Sequence, residues 1–377
     1  MSPLDPRLEK HRPALVYDPQ EAYRAMSAAS ITDYRNNVLK RGNGDVVSRA
    51  GHGLSLQTLT TYTGPKDGDR LDEDGDPLPA SRHFQADPNY RERVYGRVKE
   101  DGGRTWLQYW LWCYYNPKHL LGLGKHEGDW EMVQVGLGAN GTPEAVTYSQ
   151  HEGGEGHKWE DVKHFQNDHP IAYVAPLSHA CYFEAGAHPY VLGVDNPDDS
   201  LAPILPHVED FGDWQTWVGR WGNSTGVGGG KFGGRSPASP GKQGQKWDNP
   251  NAWHTRGLAK KPLRIGSQAV RQAGRATYPK LQSIDAERDD GRVRVAYELD
   301  PARLRKASYL LVTLHKPDDE RQLLASSPEP ISAPQGVVEV PLPAGVTGDV
   351  VVRASAYNTL RQRSDPLETQ TGDQPGG

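Results

Sequence analysis

A short run of acidic and imidazole side chains, HEGDWE at residues 126–131, has the residue types and spacing that suit a divalent cation. In an extended strand Asp129 and Glu131 point to the same face, which becomes apolar further along. Carboxylates at the rim of a core must be paired, protonated or bound to a metal, because an isolated buried charge is very costly. His126 lies three residues before Asp129, across a turn that Gly128 permits. Together they form a mixed nitrogen and oxygen ligand set.

Other histidines extend this pattern. Eight of the 14 histidines lie between His119 and His188, in less than a fifth of the chain. Three of them, His151, His179 and His119, follow strands or turns that can return to the same point, and we predict them as further metal ligands. If the metal activates a water molecule, His151 or Glu127 is the predicted general base.

An interpretation without a metal also fits these residues. Asp129 and Glu131 can form ion pairs with arginines such as Arg220 or Arg104, and His126 can hydrogen-bond a carbonyl group. The identity of a metal stays open as well, since calcium or magnesium suits the carboxylates, whereas several histidines favour zinc, manganese or iron.

Strands are the elements that must position these side chains. The runs at 105–115, 130–137, 145–150 and 171–174 are rich in β-branched or aromatic residues and bounded by Gly, Asn or Pro. Long helical patterns are missing between them, which favours an antiparallel sheet or sandwich over a βαβ fold. The segment 64–89, rich in Asp, Gly and Pro, predicts an exposed loop.

The chain of 377 residues is longer than one core usually sustains, and all ten tryptophans lie before residue 254. We therefore predict an all-β protein with a large loop-rich β-sandwich at 1–265, a linker at 266–290 and a fibronectin type III-like β-sandwich at 291–377. Its strands are predicted from the short β runs at 292–299, 308–315, 337–342 and 349–357. The segment ASAYNTLRQRSDP resembles the last strand of such a domain.

Composition narrows the classes of partner. The net charge of -5 and the pI of about 6.3 create no positive electrostatic potential that would attract nucleic acid, so no nucleic-acid partner is expected. The sequence contains no run of 18 apolar residues, so no transmembrane segment is expected. No apolar leader is visible near residue 1, so a cytoplasmic location is expected. Cys113 and Cys181 are expected as buried free thiols. Composition does not indicate an oligomeric state.

Two family resemblances follow from these motifs. Through HEGDWE, YSQHEGG, HPIAYVAPLSHACYFEAG, WVGRWGN and SPASPGKQGQKWDNP, residues 13–253 resemble the vacuolar protein sorting-associated protein 62 family. More remotely, WCYYNPKH followed by HEGDWE is similar to the tyrosine-rich strand and Gly-His-Arg-His-Asp-Trp-Glu heptad of necrosis- and ethylene-inducing-like proteins. Those are cytolytic β-sandwiches that hold a divalent cation and bind sphingolipid sugars.

The second resemblance assigns residues. It implies that the family's metal-binding histidine, aspartate and glutamate correspond to His126, Asp129 and Glu131. The heptad's second histidine is replaced by Gly128, and an upstream metal-binding aspartate by His119.

The sequence thus predicts a histidine-rich divalent-metal site in a binding module for a glycan or lipid headgroup. Exposed aromatic side chains between residues 214 and 253, the tryptophans above all, are expected to pack on the ligand. Two alternatives stay open: a metal-dependent hydrolase of a phosphoester or related bond, and a metal that only ties loops together.

Overall fold

The fold is that of a computed structural model. It describes residues 3–19, 21–64, 68–117, 125–151, 153–186, 188–190, 193–199, 201–224, 235–258, 279–289, 291–317, 319–342, 345–358, 364 and 366–371. The chain divides into two compact units. The first comprises Met1–Ala185, Tyr190–Pro197 and Pro203–Leu263, and the second comprises Gly186–Pro189, Asp198–Ala202 and Arg264–Gly377.

Strands dominate the described residues, as expected for an all-β protein. The α-helices are α1 (Pro6–Lys10), α2 (Ser30–Asp33), α3 (Leu56–Thr61), α4 (Pro77–Ala86), α5 (Gln245–Asp248) and α6 (Pro250–Leu258). Short 3-10 helices span Trp159–Asp161, Asp213–Thr216, Pro240–Lys242 and Pro301–Lys306. The strands up to residue 210 are β1 (Ala14–Tyr17), β2 (Asn37–Lys40), β3 (Val46–Ala50), β4 (Gly53–Leu54), β5 (Arg70–Glu73), β6 (Arg93–Asp101), β7 (Arg104–Asn116), β8 (His126–Leu137), β9 (Pro143–Gln150), β10 (Gly153–Lys158), β11 (His164–Phe165), β12 (His169–Val174), β13 (Cys181–Tyr182), β14 (His188–Tyr190), β15 (Gly193–Asp195) and β16 (His207–Asp210). The later strands are β17 (Leu281–Asp289), β18 (Arg292–Leu299), β19 (Tyr309–Lys316), β20 (Asp319–Pro330), β21 (Gln335–Pro341), β22 (Val351–Tyr357) and β23 (Leu367–Gln370).

A six-stranded sheet forms the centre of the first unit, in the order β10-β9-β8-β7-β6-β16. Its neighbours from β10 to β6 are antiparallel, and only β16 joins β6 in parallel. In the β7–β8 pair, Leu111 lies opposite Glu131, and Cys113 lies opposite Asp129. The predicted strands at 105–115, 130–137 and 145–150 are confirmed within β7, β8 and β9.

Apolar side chains cover the central sheet on both faces. Residues from β1, β12 and β13 pack with Cys113, Val133 and Val135 on one face. Residues from β2, β4, β5 and α4 pack with Trp112 and Trp130 on the other. Burial on both faces explains why β7 is a nearly continuous apolar run rather than an alternating one. The predicted alternation of β8 residues between the two faces is confirmed from Asp129 onward.

The second unit is a two-sheet arrangement around its own core. One sheet has the order β17-β18-β21, and the other has the order β20-β19-β22-β23. Alternating buried positions along β18, such as Val293 and Val295, contribute to the core between them. The fibronectin type III-like assignment of this sandwich stays a prediction.

Three expectations about segments need correction. The segment 64–89 is not an exposed loop, because it contains the buried strand β5 and the helix α4. Asp76 caps α4 and Pro77 follows it, a helix-start signal that the loop-like composition hides. Part of the expected linker 266–290 is the strand β17, whereas 266–278 lies outside the described residues. The segment ASAYNTLRQRSDP does not end the domain, since β22 stops at Tyr357 and β23 follows.

Candidate functional site

Gly128 shapes the start of β8. Its φ of +64° lies in the left-handed region, and a Cβ atom there would come within 2.0 Å of the Trp221 carbonyl oxygen and 2.4 Å of the Trp112 ring. Only glycine fits this position. The turn directs Asp129 and Glu131 into the interior, where both side chains are buried.

A buried imidazole joins two carboxylates beside this turn. His179 Nδ1 donates to Asp129 Oδ2 at 3.0 Å, and His179 Nε2 lies 3.9 Å from Glu21 Oε1. Burial alone would lower the pKa of His179, but the neighbouring groups Cys113, Asp129 and Glu21 together raise it well above the usual value. Burial alone would raise the pKa of Glu21, but the nearby charge of His179 and the hydrogen bonds from the backbone nitrogens of Leu177 and Tyr23 lower it to about 2. The imidazolium therefore balances Glu21 and Asp129 together.

Asn116, at the end of β7, supplies an oxygen atom at the same place. Its Nδ2 donates to Asp129 Oδ2 at 3.2 Å. Its Oδ1 is buried and has no hydrogen-bond partner among the described residues. A buried amide oxygen without a donor costs free energy unless something positive approaches it.

Glu131 lies next along the same face. Its Oε2 accepts a short hydrogen bond from Ser149 Oγ, which in turn accepts from Met132 N at 2.7 Å. Burial raises the pKa of Glu131 to about 8, the Asp129 charge adds to the rise, and the ammonium of Lys246 opposes it. The carboxyl group is thus protonated near neutral pH when no further cation is present.

A second imidazole and carboxylate pair lies at the partly exposed edge of this group. His151 Nε2 donates to Asp195 Oδ2 at 2.8 Å, and Asp195 also accepts from Ser178 Oγ at 2.9 Å and Tyr182 Oη at 2.6 Å. Burial alone would lower the pKa of His151, but the bond to Asp195 and the nearby carboxyl groups raise it. His151 has a φ of +55°, and a third of its side chain, 33%, is exposed.

His126 hydrogen-bonds a carbonyl group, as the interpretation without a metal predicts. Its Nδ1 donates to Gly128 O at 2.7 Å. This contact fixes the proton on Nδ1 and leaves Nε2 as the nitrogen with a lone pair, which is how metal-binding histidines are usually oriented. The contact is compatible with both interpretations.

The two predicted arginines have other partners in the described part of the chain. Arg104 Nε lies 3.4 Å from the carboxylate of Glu144, and Arg220 Nη1 donates to the Ser236 carbonyl oxygen at 3.4 Å. The charge of Asp129 is balanced by His179 instead.

Glu127 does not join Asp129, although it is two residues away. Its Oε2 accepts from the backbone nitrogens of Glu73, at 3.0 Å, and Asn223, at 2.8 Å. Burial raises the pKa of Glu127 to about 7. Its carboxylate therefore ties together three chain segments, and the role as general base stays a prediction.

Other expectations about the site have mixed outcomes. His119 lies outside the described residues. The aromatic side chains expected to be exposed are mostly buried in the core, as shown by Trp214, Trp217, Trp221 and Trp253. Cys113 and Cys181 are confirmed as buried free thiols. Across the described ranges, no three His, Cys, Asp or Glu side chains form a group that could hold a metal ion.

Sequence reasoning missed several residues of this cluster. Glu21 and Asp195 lie in irregular or short segments far from the HEGDWE motif, and no local pattern marks them. Asn116 had a usable signal, since it ends the strand that pairs with β8 and precedes Pro117. Ser149 shares the alternation that placed His151, so a search by strand face would have found it.

No protein-family profile matches this chain, and no curated protein matches it. Among solved structures, NLPPya in complex with mannosamine is 15% identical, with a TM-score of 0.31, over 56% of this chain and 76% of that chain. The Necrosis and Ethylene inducing Protein 2 from the causal agent of witches' broom disease of cocoa is 13% identical, with a TM-score of 0.30, over 56% and 77%. A DUF3823 family protein from Bacteroides ovatus is 11% identical, with a TM-score of 0.21, over 24% of this chain and about half, 53%, of that chain. The likeness is remote.

None of the helices in the described part of the chain has the length and apolar character needed to cross a bilayer.

Proposed function

We propose that this protein binds a glycan or a lipid headgroup through a divalent cation held by Asp129 and Glu131. The observation that carries the proposal is a shortage of positive charge. Glu21 and Asp129 share one imidazolium, and Glu131 avoids adding a further negative charge only by staying protonated. A divalent cation would replace that proton and balance both carboxylates of the β8 face.

The donor set fits a hard cation. Two carboxylates and the unpartnered Oδ1 of Asn116 offer oxygen atoms, and the lone pair on His126 Nε2 can add a nitrogen. Magnesium is often held by one or two carboxylates and keeps several water molecules. His151 and His179 are engaged by carboxylates, which favours magnesium, calcium or manganese over zinc. Bound there, the cation would supply positive charge and exchangeable positions for ligand oxygens.

Calorimetry with protein freed of metal by a chelator tests this function. Magnesium, calcium or manganese should bind with one site per chain, and Asp129→Asn or Glu131→Gln should abolish the binding. Glu144→Gln is the matched control, since it removes a carboxylate from the same sheet at a partly exposed pair with Arg104. Absence of binding by the unaltered protein would defeat the proposal.

A hydrolase is the second candidate, and His151 is the residue that favours it. Asp195 holds its ring at the partly exposed edge of the site, where it could take a proton from a metal-bound water. Metal-dependent turnover of phosphodiester or ester substrates that His151→Gln removes, with metal binding retained, would establish this activity. A metal that raises the unfolding temperature without any ligand binding or turnover would be structural.

A further inference from the structure

Lys246 carries a positive charge that the proposed cation site leaves unused. Its Nζ donates to the carbonyl oxygen of His151 at 3.1 Å. In the described segments no carboxylate lies within the 4.0 Å ion-pair distance of this ammonium group. The His151 carbonyl group lies two residues after Ser149, whose hydroxyl group hydrogen-bonds Glu131. Lys246 therefore lies beside the acidic face without being neutralised by direct contact.

The backbone around Lys246 is held from two sides. Gln108 Nε2, from the central sheet, donates to the Lys246 carbonyl oxygen at 2.6 Å. The next residue, Trp247, lies under the guanidinium of Arg97 at 3.6 Å and contacts the ring of Trp110. These contacts fix where the lysine side chain begins, so its position is preorganised.

His151 places a second nitrogen-rich group next to Lys246. Asp195 fixes its ring, and the three hydrogen bonds to Asp195 hold that carboxylate in turn. The Lys246 ammonium and the His151 ring thus form one partly exposed edge, which we call the basic edge. The acidic pair Asp129 and Glu131 lies next to this edge, because Ser149, two residues before His151, hydrogen-bonds Glu131.

We infer that the ligand of the cation site carries a phosphate group, bound between the cation on Asp129 and Glu131 and the ammonium of Lys246. This inference rests on the proposed function and specifies its ligand. Magnesium that is held by one or two carboxylates commonly completes its coordination with phosphate oxygens. Lysine binds phosphate as a point charge. An uncharged sugar would leave the ammonium unmatched, whereas a phosphate oxygen bridges both positive groups.

Four probes test the inference by calorimetry and vesicle sedimentation: inorganic phosphate, mannose 6-phosphate, mannose, and phosphatidylcholine vesicles with or without phosphatidic acid. In the presence of magnesium, mannose 6-phosphate should bind at least about tenfold more tightly than mannose, or vesicles that contain phosphatidic acid, a phosphate monoester, should bind at least about tenfold more tightly than vesicles of phosphatidylcholine, whose phosphate is capped by choline. A preference confined to vesicles assigns the phosphate to a lipid, and one shown by soluble probes assigns it to a free or sugar phosphate. Either result supports the inference.

Lys246→Met should weaken binding of the preferred phosphate probe at least about tenfold, whereas magnesium should still bind in the absence of phosphate. Lys242→Met is the matched control, because it removes an exposed lysine four residues earlier and should change neither affinity. Lys246→Gln repeats the test if the methionine variant fails to fold. Magnesium binding with no preference for phosphate, or a preference that Lys246→Met leaves intact, overturns the inference alone. Loss of all magnesium binding in the unaltered protein overturns the proposed function.

Discussion

Replacing His179 by asparagine tests how the buried charges are balanced. The side chain is fully buried, at 0% exposed, between Glu21 and Asp129. Asparagine tolerates the positive φ of 54° at this position, so the change removes the charge without new backbone strain. It leaves two buried carboxylates without their cation.

The size of the effect follows from Glu21. His179, as the largest contributor, and the backbone N–H groups of Leu177 and Tyr23 together lower the pKa of Glu21 from 4.5 to about 2. At about 1.4 kcal/mol per pH unit, that change corresponds to about 3 kcal/mol of stability. Breaking a buried ion pair by removing one partner typically costs a similar amount, about 3–5 kcal/mol. We therefore expect His179→Asn to lower the free energy of unfolding by about 3 kcal/mol at pH 6.

Urea unfolding monitored by tryptophan fluorescence measures this loss, and it reports on the first unit because all ten tryptophans lie there. A folded-state pKa below the unfolded value stabilises above pH 4.5, and this stabilisation is lost as the pH falls toward 2. The difference between the unaltered protein and the variant should therefore shrink between pH 5 and pH 3. His52→Gln, at an exposed histidine, is the control and should change stability by less than about 0.5 kcal/mol. A loss below about 1 kcal/mol, with no dependence on pH, would refute the charge-balance reasoning.

Three further changes have defined outcomes. Gly128→Ala should lower the free energy of unfolding, measured in urea, by about 3 kcal/mol or more, because the new Cβ would clash with Trp221 O. The control is Gly141→Ala, which has a positive φ but no atom within 4 Å, so it measures backbone strain alone and should cost less. Equal losses in the two variants would contradict the steric argument. With a chelator present, the stability of the protein should fall as the pH rises from 6 to 9, because Glu131 keeps its proton up to about pH 8 in the folded state but loses it near pH 4.5 in the unfolded state. Thermal unfolding of Glu131→Gln should lack this dependence on pH. An unchanged dependence would exclude Glu131 as its source. Asn116→Leu should weaken magnesium binding, measured by calorimetry, at least about tenfold. The control is Asn140→Leu, at an exposed turn, which should leave magnesium binding intact. Equal affinities in the two variants would remove Asn116 from the ligand set.

Local patterns in the sequence predicted the strands well. The central strands β7 to β9 are long and rich in aromatic and β-branched residues, so the strands and their faces follow from the sequence alone. The alternation that placed Asp129 and Glu131 on one face holds because each residue of β8 has a fixed side of the sheet. The structure of segment 64–89 was harder to predict, because its many acidic residues are typical of a solvent-exposed loop. Asp72 is buried beside Arg70, which is close in sequence, and beside Lys40, which lies more than 30 positions away.

The partners of the acidic face could not be read from local spacing. His179 was recognised as a candidate, but its role as the cation between Glu21 and Asp129 depends on β12 and the turn after it packing against the central sheet. For Glu127, the spacing of residues along the strand was misleading. Strand alternation groups it with Asp129, but the left-handed turn at Gly128 redirects it toward the backbone of Glu73.

A manganese-soaked crystal, read by anomalous scattering, tests the central claim most directly. The account predicts one anomalous peak at about 2.1–2.5 Å from carboxylate oxygens of both Asp129 and Glu131, close to Asn116 Oδ1, and no such peak in Asp129→Asn crystals. A map without a peak at these side chains, with the imidazolium of His179 as their only counter-charge, would contradict it.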